Sequence, residues 1–331
     1  MVEKVKEHEG KGRMDVMDII YERARAADAT IILPEAQDVR IQEAAQLIER
    51  MHLAKLILID GTKPAEYFNA LPSSERDELL QVVQKARRGK KDEMSAEQAR
   101  VLLTNDTKYL AAAMVRAGKA DGFLAGSASE TADTILPAVK VIGTLSGYAS
   151  SFFIMKRPGE TLFYADCAFN IDPDAEELAK IAVDTARNVQ SLDIEPRIAF
   201  LSYSTNTGRP QEKVTKLREA IRHLKEMAPD LMVAEHEMQF DAAYVPEVAA
   251  RKAPHCEVAG RANVFIFPDL NSGNIAYKIS ERFGGFQAIG PIFQGMSAAV
   301  NDLSRGCSIQ DILDMTAVTA MQAGEFEKAR I

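Results

Sequence analysis

The stretch ATIIL at Ala29–Leu33, followed by DVRIQEAAQLIERM at Asp38–Met51, decides the fold class. The first is a continuous apolar run of strand length. The second places apolar side chains at helical spacing: Ile41, Ala44, Ala45 and Ile48. A buried strand followed by an amphipathic helix is the repeating unit of an α/β protein. We therefore expect a strand and then a helix in this part of the chain.

Further apolar runs of strand length end in turns or polar loops along the chain. They are Leu56–Ile59, Gly122–Gly126, Arg197–Leu201 and Val264–Phe267. Continuous runs of this kind, without polar alternation, are typical of parallel strands that are buried on both faces. The sequence therefore predicts an α/β fold with mainly parallel sheets covered by helices.

A hairpin interrupts this repetition. Two strand-like runs, Ser151–Met155 and Thr161–Ala165, flank the turn sequence KRPGE at 156–160. The chain has 331 residues, and at roughly 150 residues per domain this length suggests about two domains. We expect the hairpin to mark a boundary, so that a second α/β domain begins at residue 148.

The composition excludes several classes of protein. There are 40 Lys and Arg residues against 48 Asp and Glu residues, so the formal net charge is −8. A general nucleic-acid binder normally carries a basic surplus, and this class is therefore disfavoured. Hydrophobic residues make up 47% of the chain, which is enough for a sizeable core and excludes a disordered chain. An anionic substrate would require a local concentration of cations.

Secretion, membrane insertion and metal binding are not indicated either. The first residues are charged and contain no apolar signal region, and no run approaches the roughly 18 to 20 apolar residues of a membrane span. The three cysteines form no C-x-x-C pair and the five histidines lack ligand spacing. We expect a cytoplasmic protein with no metal site, no disulfide framework and no membrane or nucleic-acid partner.

Chemistry is expected where strands end, because loops and helix N-termini converge at the carboxyl edge of an α/β sheet. Four loops rich in hydroxyl, amide and glycine groups fit this position: 126–133, 202–208, 268–274 and 301–308. Each alone is also an ordinary turn sequence. No G-x-x-x-x-G-K-[ST], G-x-G-x-x-G or G-x-S-x-G motif occurs, which disfavours nucleotide triphosphatases, standard Rossmann dehydrogenases and α/β-hydrolases.

Several motifs resemble those of the phosphate acetyl/butyryltransferase family, and within it the phosphate acetyltransferases. The most specific are VNDLSRGC at Val300–Cys307, FPDL at Phe267–Leu270 and GNIAYK at Gly273–Lys278. Shorter matches are ADG at 120–122, TADT at 131–134, QFDAA at 239–243, VAGRANV at 258–264 and GPIFQG at 290–295. The resemblance begins near residue 14, and the residues before it look like an extension.

The resemblance implies reversible transfer of an acetyl group between coenzyme A and inorganic phosphate, which makes acetyl phosphate. It also implies two α/β domains with a cleft between them, similar to the isocitrate and isopropylmalate dehydrogenases. The first domain, residues 1–147, would be completed by the C-terminal segment 293–331, and the second would span 148–292. Homodimers are usual in the family, and coenzyme A is a substrate, with no tightly bound cofactor.

Three residues match the catalytic positions of the family: Ser304, Arg305 and Asp311. The thiol of coenzyme A attacks as its thiolate, so the carboxylate of Asp311 is expected to act as general base. The guanidinium of Arg305 would stabilise negative charge on the carbonyl oxygen and the phosphate, and the Ser304 hydroxyl would add a hydrogen bond. Direct attack in a ternary complex is expected, without an acyl-enzyme.

A structural role for Asp311 is the alternative. The sequence SIQD at Ser308–Asp311 precedes an apolar helical pattern and fits the [ST]-x-x-[DE] capping box. From the local sequence alone capping is the favoured interpretation, whereas the resemblance favours catalysis, and both roles are compatible.

Other residues are expected to contact coenzyme A and its phosphates. The resemblance implies this role for Arg282, and for one of Arg87 and Arg88, between which the alignment of this chain is unsettled. The polar loops after strands add Ser127, Ser129, Thr131 and Asn301 as predicted substrate-binding residues. The cations among these residues would form the local positive site that an acidic chain needs.

The sequence departs from the family at one position, and two other functions remain open. Many members carry an arginine before the proline that follows TADT, where this chain has Leu136. This puts one contact with coenzyme A or the acyl group in doubt. The alternatives are a phosphate butyryltransferase and a non-catalytic binding protein of the same fold. Cys307, beside the predicted site, is expected to be a buried packing residue.

Overall fold

The apolar run that opens the sheet forms a strand, Thr30–Leu33, and the helical pattern after it forms a helix, Val39–Arg50. The structure is a computed structural model that describes residues 15–145, 147–209 and 211–328. The expected N-terminal extension lies outside these residues. The strands are β1 Thr30–Leu33, β2 Lys55–Leu58, β3 Gly122–Ala125, β4 Ser150–Arg157, β5 Glu160–Ala165, β6 Arg197–Phe200, β7 Met232–Val233, β8 Val264–Ile266, β9 Gln287–Gln294 and β10 Ala299–Asp302.

Helices connect most of these strands. They are α1 Val16–Ala27, α2 Val39–Arg50, α3 Pro64–Ala70, α4 Ser73–Arg87, α5 Ala96–Asn105, α6 Thr107–Arg116, α7 Thr131–Pro137, α8 Ala175–Gln190, α9 Glu212–Met227, α10 Phe240–Tyr244, α11 Pro246–Lys252, α12 Leu270–Arg282 and α13 Ile309–Lys328. A short π-helical turn at Ala138–Ile142 follows α7. None of the described helices has the length and apolar character of a membrane span.

One sheet runs through the described chain in the order β2-β1-β3-β10-β9-β4-β5-β8-β6-β7. One group of neighbours, β2, β1, β3 and β10, is parallel throughout, and so is the group β5, β8, β6 and β7. Three antiparallel pairings, β10 with β9, β9 with β4 and β4 with β5, join the two parallel groups. The α/β class and the mainly parallel pairing are therefore confirmed, and the structure adds that both groups share one sheet.

The predicted hairpin lies at the centre of this sheet. Strands β4 and β5 pair in antiparallel register across the turn at 158–159, from Arg157 opposite Glu160 to Phe152 opposite Ala165. The last strand, β10, returns beside β3, with Asn301 opposite Leu124. The strand at the start of the VNDLSRGC motif is thus the last strand of the parallel group that the first part of the chain forms.

The core follows from the alternation of side chains along the strands. One apolar cluster covers a whole face of the sheet and includes Ile31, Leu124, Phe163 and Phe200, packed under helices such as α1, α8 and α13. The opposite face carries two separate clusters. The first contains Phe123 and the residues under α3 to α6, and the second contains Phe265 and the residues under α10 and α11. A fully buried side chain of this size contributes roughly 1.5–3 kcal/mol.

Candidate active site

A cavity of about 480 Å³ lies where β10 ends, between α12, β9 and the first turns of α13. Three of the predicted site residues line it: Arg282, Ser304 and Asp311. Cavities of about 550 and 810 Å³ lie elsewhere and contain none of the predicted site residues. The site is therefore built at the carboxyl end of a parallel strand, as the polar loops of the sequence predict.

The loop after β10 is a tight turn that presents Ser304 to the cavity. The N–H of Cys307 donates to the carbonyl oxygen of Ser304 at 2.9 Å, and the N–H of Gly306 donates to its Oγ at 3.2 Å. Because Oγ accepts the latter bond, the hydroxyl hydrogen of Ser304 remains available to donate to a bound molecule. We refer to Ser304–Ser308 as the catalytic loop, after the catalytic positions that the family resemblance implies for Ser304 and Arg305.

The capping box predicted at Ser308 and Asp311 is confirmed. Oδ2 of Asp311 accepts hydrogen bonds from the N–H and the hydroxyl of Ser308 at 2.8 and 2.9 Å, and the N–H of Asp311 lies 3.1 Å from Ser308 Oγ. Among the described residues, Oδ1 of Asp311 has no hydrogen-bond donor. The carboxylate therefore caps α13 through Oδ2 and leaves Oδ1 unengaged, and the residue lines the cavity.

A second carboxylate of α13, Asp314, also lines the cavity and was not anticipated from the sequence. Its oxygens accept hydrogen bonds from the hydroxyl of Tyr21, from Gln310 at 2.8 Å and from Gln287 at 3.2 Å. Burial raises the pKa of Asp314 above its usual value. Both of its oxygens are engaged, which distinguishes it from Asp311.

Arg305 extends from the catalytic loop toward solvent. Its side chain is 67% exposed, and its guanidinium lies 3.8 Å from Oε1 of Glu130. An exposed ion pair at this distance contributes little to stability, so the guanidinium can exchange this partner for an anion at low cost. Arg305 does not line the cavity in this conformation.

Cations of α12 lie at the other side of the cavity. Arg282 is 78% exposed at the end of α12, 3.5 Å from Glu281, and Lys278 lies one turn earlier. Nζ of Lys278 donates to the hydroxyl of Tyr277 at 3.0 Å and lies over its ring. In the described part of the chain, Lys278 and Arg282 are the two cations that line the cavity, which also carries the acidic side chains of Glu281, Asp311 and Asp314.

The loop at 126–129, predicted to bind substrate through Ser127 and Ser129, is instead held by a buried carboxylate. Oε2 of Glu35 accepts hydrogen bonds from the N–H groups of Gly126 and Ser127 at 2.8 and 2.7 Å and from the Ser127 hydroxyl at 2.9 Å. The Ser129 hydroxyl donates to Oε1. Glu35 occupies the cradle in which an anionic ligand was expected, so these hydroxyls position the loop.

Thr131 is engaged in a similar way. Its hydroxyl donates to Oδ2 of Asp302 at 2.6 Å, and Asp302 is only 1% exposed. Oδ1 of Asp302 packs so close to Gly126, where φ is +103°, that an added Cβ would lie 2.2 Å from it. Burial raises the pKa of Asp302 to about 6, and the nearby charge of Glu35 acts in the same direction.

The structure corrects the interpretation of Asn301. Its side chain is fully buried between β10 and α13. Oδ1 accepts the N–H of Phe293 at 2.8 Å, and Nδ2 donates to Thr319 at 2.9 Å and to Gln322 at 2.8 Å. All of its polar groups serve the packing of the C-terminal helix on the sheet, and none faces a substrate.

Arg87 and Arg88 are not brought to this cavity. The guanidinium of Arg87 pairs with Asp92, and Lys140 pairs with the same carboxylate at 2.9 Å. Arg88 is exposed and directly follows the last residue of α4. Their role in binding phosphates stays a prediction. Leu136, the departure from the family pattern, is 48% exposed on α7.

The three cysteines are free thiols, and Cys307, within the 304–308 loop, is buried. Burial raises the pKa of Cys307 to about 11. In residues 15–145, 147–209 and 211–328 no three His, Cys, Asp or Glu side chains are grouped so that they could hold a metal ion.

Comparison with known proteins identifies the family of this chain. Residues 15–320 match the family model described as phosphate acetyl/butaryl transferase. A phosphate acetyltransferase of Bacillus subtilis is 39% identical over 325 residues, covering 93% of this chain and 99% of the relative. A phosphate acetyltransferase of Staphylococcus aureus is 39% identical over 328 residues, with the same coverage.

A solved structure gives the same result. A phosphotransacetylase from Streptococcus pyogenes superimposes with a TM-score of 0.85 at 39% identity, covering 94% of this chain and 100% of that one. The chain therefore belongs to the phosphate acetyl/butaryl transferase family and is an acyltransferase.

Proposed function

We propose that this protein is a phosphate acetyltransferase, which transfers acetyl reversibly between coenzyme A and inorganic phosphate. The observation that carries the proposal is the convergence of Ser304, Asp311 and Arg282 on one cavity at the end of β10. The relatives that match nearly the whole chain are named phosphate acetyltransferases. The first step, in the direction of acetyl-coenzyme A synthesis, is removal of the thiol proton.

Asp311 is the proposed general base. A thiol has a pKa of about 8.5, and its thiolate is the nucleophile. Asp311 lines the cavity and its Oδ1 is the unengaged carboxylate oxygen, so we assign Oδ1 as the atom that accepts the proton. Sulfur then attacks the acetyl carbonyl carbon of acetyl phosphate, the carbon–oxygen bond to phosphate breaks, and phosphate leaves with the bonding electrons.

Arg305 and Ser304 are the proposed stabilisers of the charge that develops in this step. The guanidinium of Arg305 has one weak partner, Glu130, and is free to turn toward the carbonyl oxygen or the leaving phosphate. The available hydroxyl hydrogen of Ser304 can donate to the same oxygen. Lys278 and Arg282 lie where they can bind the phosphates of coenzyme A.

Direct transfer is favoured over a covalent acyl-enzyme. Cys307 lines the cavity and is the thiol within the catalytic loop. With a pKa of about 11 it is protonated near neutral pH and is a poor nucleophile. Both substrates therefore bind together, and the thiolate attacks in a ternary complex.

The remaining expectations belong to the same proposal. Coenzyme A is a dissociable substrate, the protein is a cytoplasmic homodimer, and the domains are 1–147 with 293–331 and 148–292. The pairing of β10 with β3 and the contacts of α13 with α1 and α2 support this domain division. Two cations, Lys278 and Arg282, and three acidic residues, Glu281, Asp311 and Asp314, line the proposed cavity, so binding of anionic substrates there rests on the two cations of α12.

The test is an assay of the pure protein with acetyl-coenzyme A and inorganic phosphate. Release of free thiol is measured with a thiol reagent, and acetyl phosphate is trapped as the hydroxamate. We expect equal amounts of both products. The same assay with butyryl-coenzyme A measures the acyl preference. A higher kcat/KM for butyryl-coenzyme A would identify the protein as a phosphate butyryltransferase instead. Absence of activity with both would favour the non-catalytic alternative.

A further inference from the structure

Arg40, on the first turn of α2, donates hydrogen bonds to three segments of the chain. They are the catalytic loop, the 126–129 loop and Asp38, just before α2. Nη1 of Arg40 donates to the carbonyl oxygens of Arg305 and Cys307 at 2.9 and 2.8 Å. Its Nη2 donates to the carbonyl oxygen of Ser127 at 2.8 Å and to Asp38 at 2.6 Å. Its Nε completes a fork on the Asp38 carboxylate at 3.1 and 3.2 Å.

This arrangement uses the whole guanidinium group, which has five N–H donors in a fixed plane. Nη1 has two acceptors, Nη2 has two, and Nε has the carboxylate of Asp38. No donor remains for a substrate phosphate or carbonyl. Arg40 therefore acts on the reaction through the backbone that it holds.

The backbone that Arg40 holds is the catalytic loop itself. Carbonyl oxygens on either side of Gly306 both point to one guanidinium nitrogen, which fixes the turn that carries the Ser304 hydroxyl and the Arg305 side chain. The bond to Ser127 ties this turn to the neighbouring loop. That loop is itself anchored by Glu35. Both anchors therefore come from one short stretch, 35–40, which comprises the β1–α2 connection and the first residues of α2.

A lysine cannot reproduce these contacts. Its ammonium is a compact group with three donors and no planar fork, whereas Arg40 donates from three different nitrogens to four acceptor groups. The partner Asp38 neutralises the cation and raises its pKa further, so Arg40 stays charged throughout the working range of pH. The contact is therefore specific to arginine.

We propose that Arg40 is a positioning residue for acyl transfer, whose guanidinium locks the catalytic loop against the 126–129 loop. The proposal rests on the proposed function for its kinetic consequence only, since the structural consequence can be measured without substrate. A displacement of about 1 Å at a reacting group lowers the rate by about 100-fold. Binding of coenzyme A depends on α12 and is expected to be little affected.

The experiment compares Arg40→Ala and Arg40→Lys with Arg76→Ala in the full chain. Arg76 is a matched control, because it also donates to two backbone carbonyl oxygens, those of Asn69 and Leu71, and does not line the cavity. With acetyl-coenzyme A and phosphate we expect kcat to fall by about 100-fold in Arg40→Ala and about tenfold in Arg40→Lys, with KM for acetyl-coenzyme A within about threefold. Arg76→Ala is expected to keep kcat within about twofold.

Hydrogen–deuterium exchange without substrate gives a second readout. We expect faster exchange in the peptide covering 303–308 in both Arg40 variants and wild-type exchange there in Arg76→Ala. Where Arg40→Ala does not fold, Arg40→Lys decides by the same criteria. Unchanged exchange at 303–308 would overturn the proposal, as would a kcat within twofold of wild type or a loss confined to KM. An inactive wild-type protein would refute the proposed function and leave the exchange experiment to decide the role of Arg40.

Discussion

Oδ2 of Asp311 accepts both the backbone N–H and the hydroxyl of Ser308, at 2.8 and 2.9 Å, while Oδ1 has no donor among the described residues. One side chain can therefore cap α13 and act as a base, because each oxygen serves one role. The two roles are separable by substitution. An asparagine keeps an oxygen that can accept from Ser308 and removes the basic oxygen.

We predict that Asp311→Asn lowers kcat by about 100- to 10,000-fold, the usual contribution of a general base. The thermal unfolding midpoint is expected to stay near that of the wild type, because the capping oxygen is retained. The measurements are kcat in the acetyl-coenzyme A assay and the midpoint by calorimetry.

The matched variants are Ser308→Ala and Asp314→Asn. Ser308→Ala removes the side chain of the cap, which costs about 1 kcal/mol, and leaves the Asp311 carboxylate in place. We expect Ser308→Ala to lower the free energy of unfolding by about this amount and to change kcat little. If Asp314→Asn abolished turnover while Asp311→Asn did not, the role of base would pass to Asp314.

Arg305→Ala is predicted to lower kcat by about 100- to 1,000-fold, which is the effect of removing one stabiliser of a developing oxyanion. Because the side chain is 67% exposed and has only a weak ion pair, the free energy of unfolding should not change measurably. Glu130→Gln, which removes its partner, is the control and should leave both quantities near wild type. Wild-type turnover in Arg305→Ala would remove this residue from the mechanism.

Local sequence was sufficient for the features that depend on neighbours in the chain. The strand and helix at 30–50, the hairpin at 150–165 and the capping box at 308–311 all follow from side-chain periodicity, turn residues and cap spacing. The convergence of Arg282 with Ser304 and Asp311 was anticipated only through the family resemblance. Spacing alone does not bring α12 to the start of α13.

The residues that the sequence did not indicate act over long separations. Glu35 holds a loop more than ninety residues away, since Gly126 and Ser127 are 91 and 92 positions from it, and Arg40 contacts a carbonyl 265 positions away. Asn301 was assigned to substrate because it begins the polar loop predicted at 301–308. Its burial depends on the packing of α13 across β10, which no local pattern reveals.

Glu35→Gln tests the buried anchor of the 126–129 loop. The carboxylate accepts from three backbone N–H groups and two hydroxyls, and the neutral amide loses the charge-assisted part of these bonds. We predict a loss of about 1.5–3 kcal/mol in the free energy of unfolding, measured with urea at pH 7.5. Glu78→Gln, at an exposed pair with Lys119, should cost less than about 1 kcal/mol. Equal losses in the two variants would contradict the anchoring role.

Asp302 should make the stability of this protein depend on pH. Burial raises its pKa from 3.8 to about 6, so the folded protein binds a proton that the unfolded chain releases between about pH 4 and pH 6. Unfolding therefore becomes easier as pH rises through this window, and the full cost of the buried charge is present above pH 6. The Thr131 hydroxyl donates to Oδ2, and an asparagine oxygen can accept the same bond.

We predict that Asp302→Asn is more stable relative to wild type at pH 7.5 than at pH 5, by about 1–2 kcal/mol. The asparagine cannot ionise, so the variant lacks the cost that wild type acquires as the buried carboxyl loses its proton. Urea unfolding of both proteins at the two pH values gives the difference directly, and all other titrating groups cancel in it. A difference that is independent of pH, or larger at pH 5, would show that Asp302 is already ionised in the folded protein at pH 5.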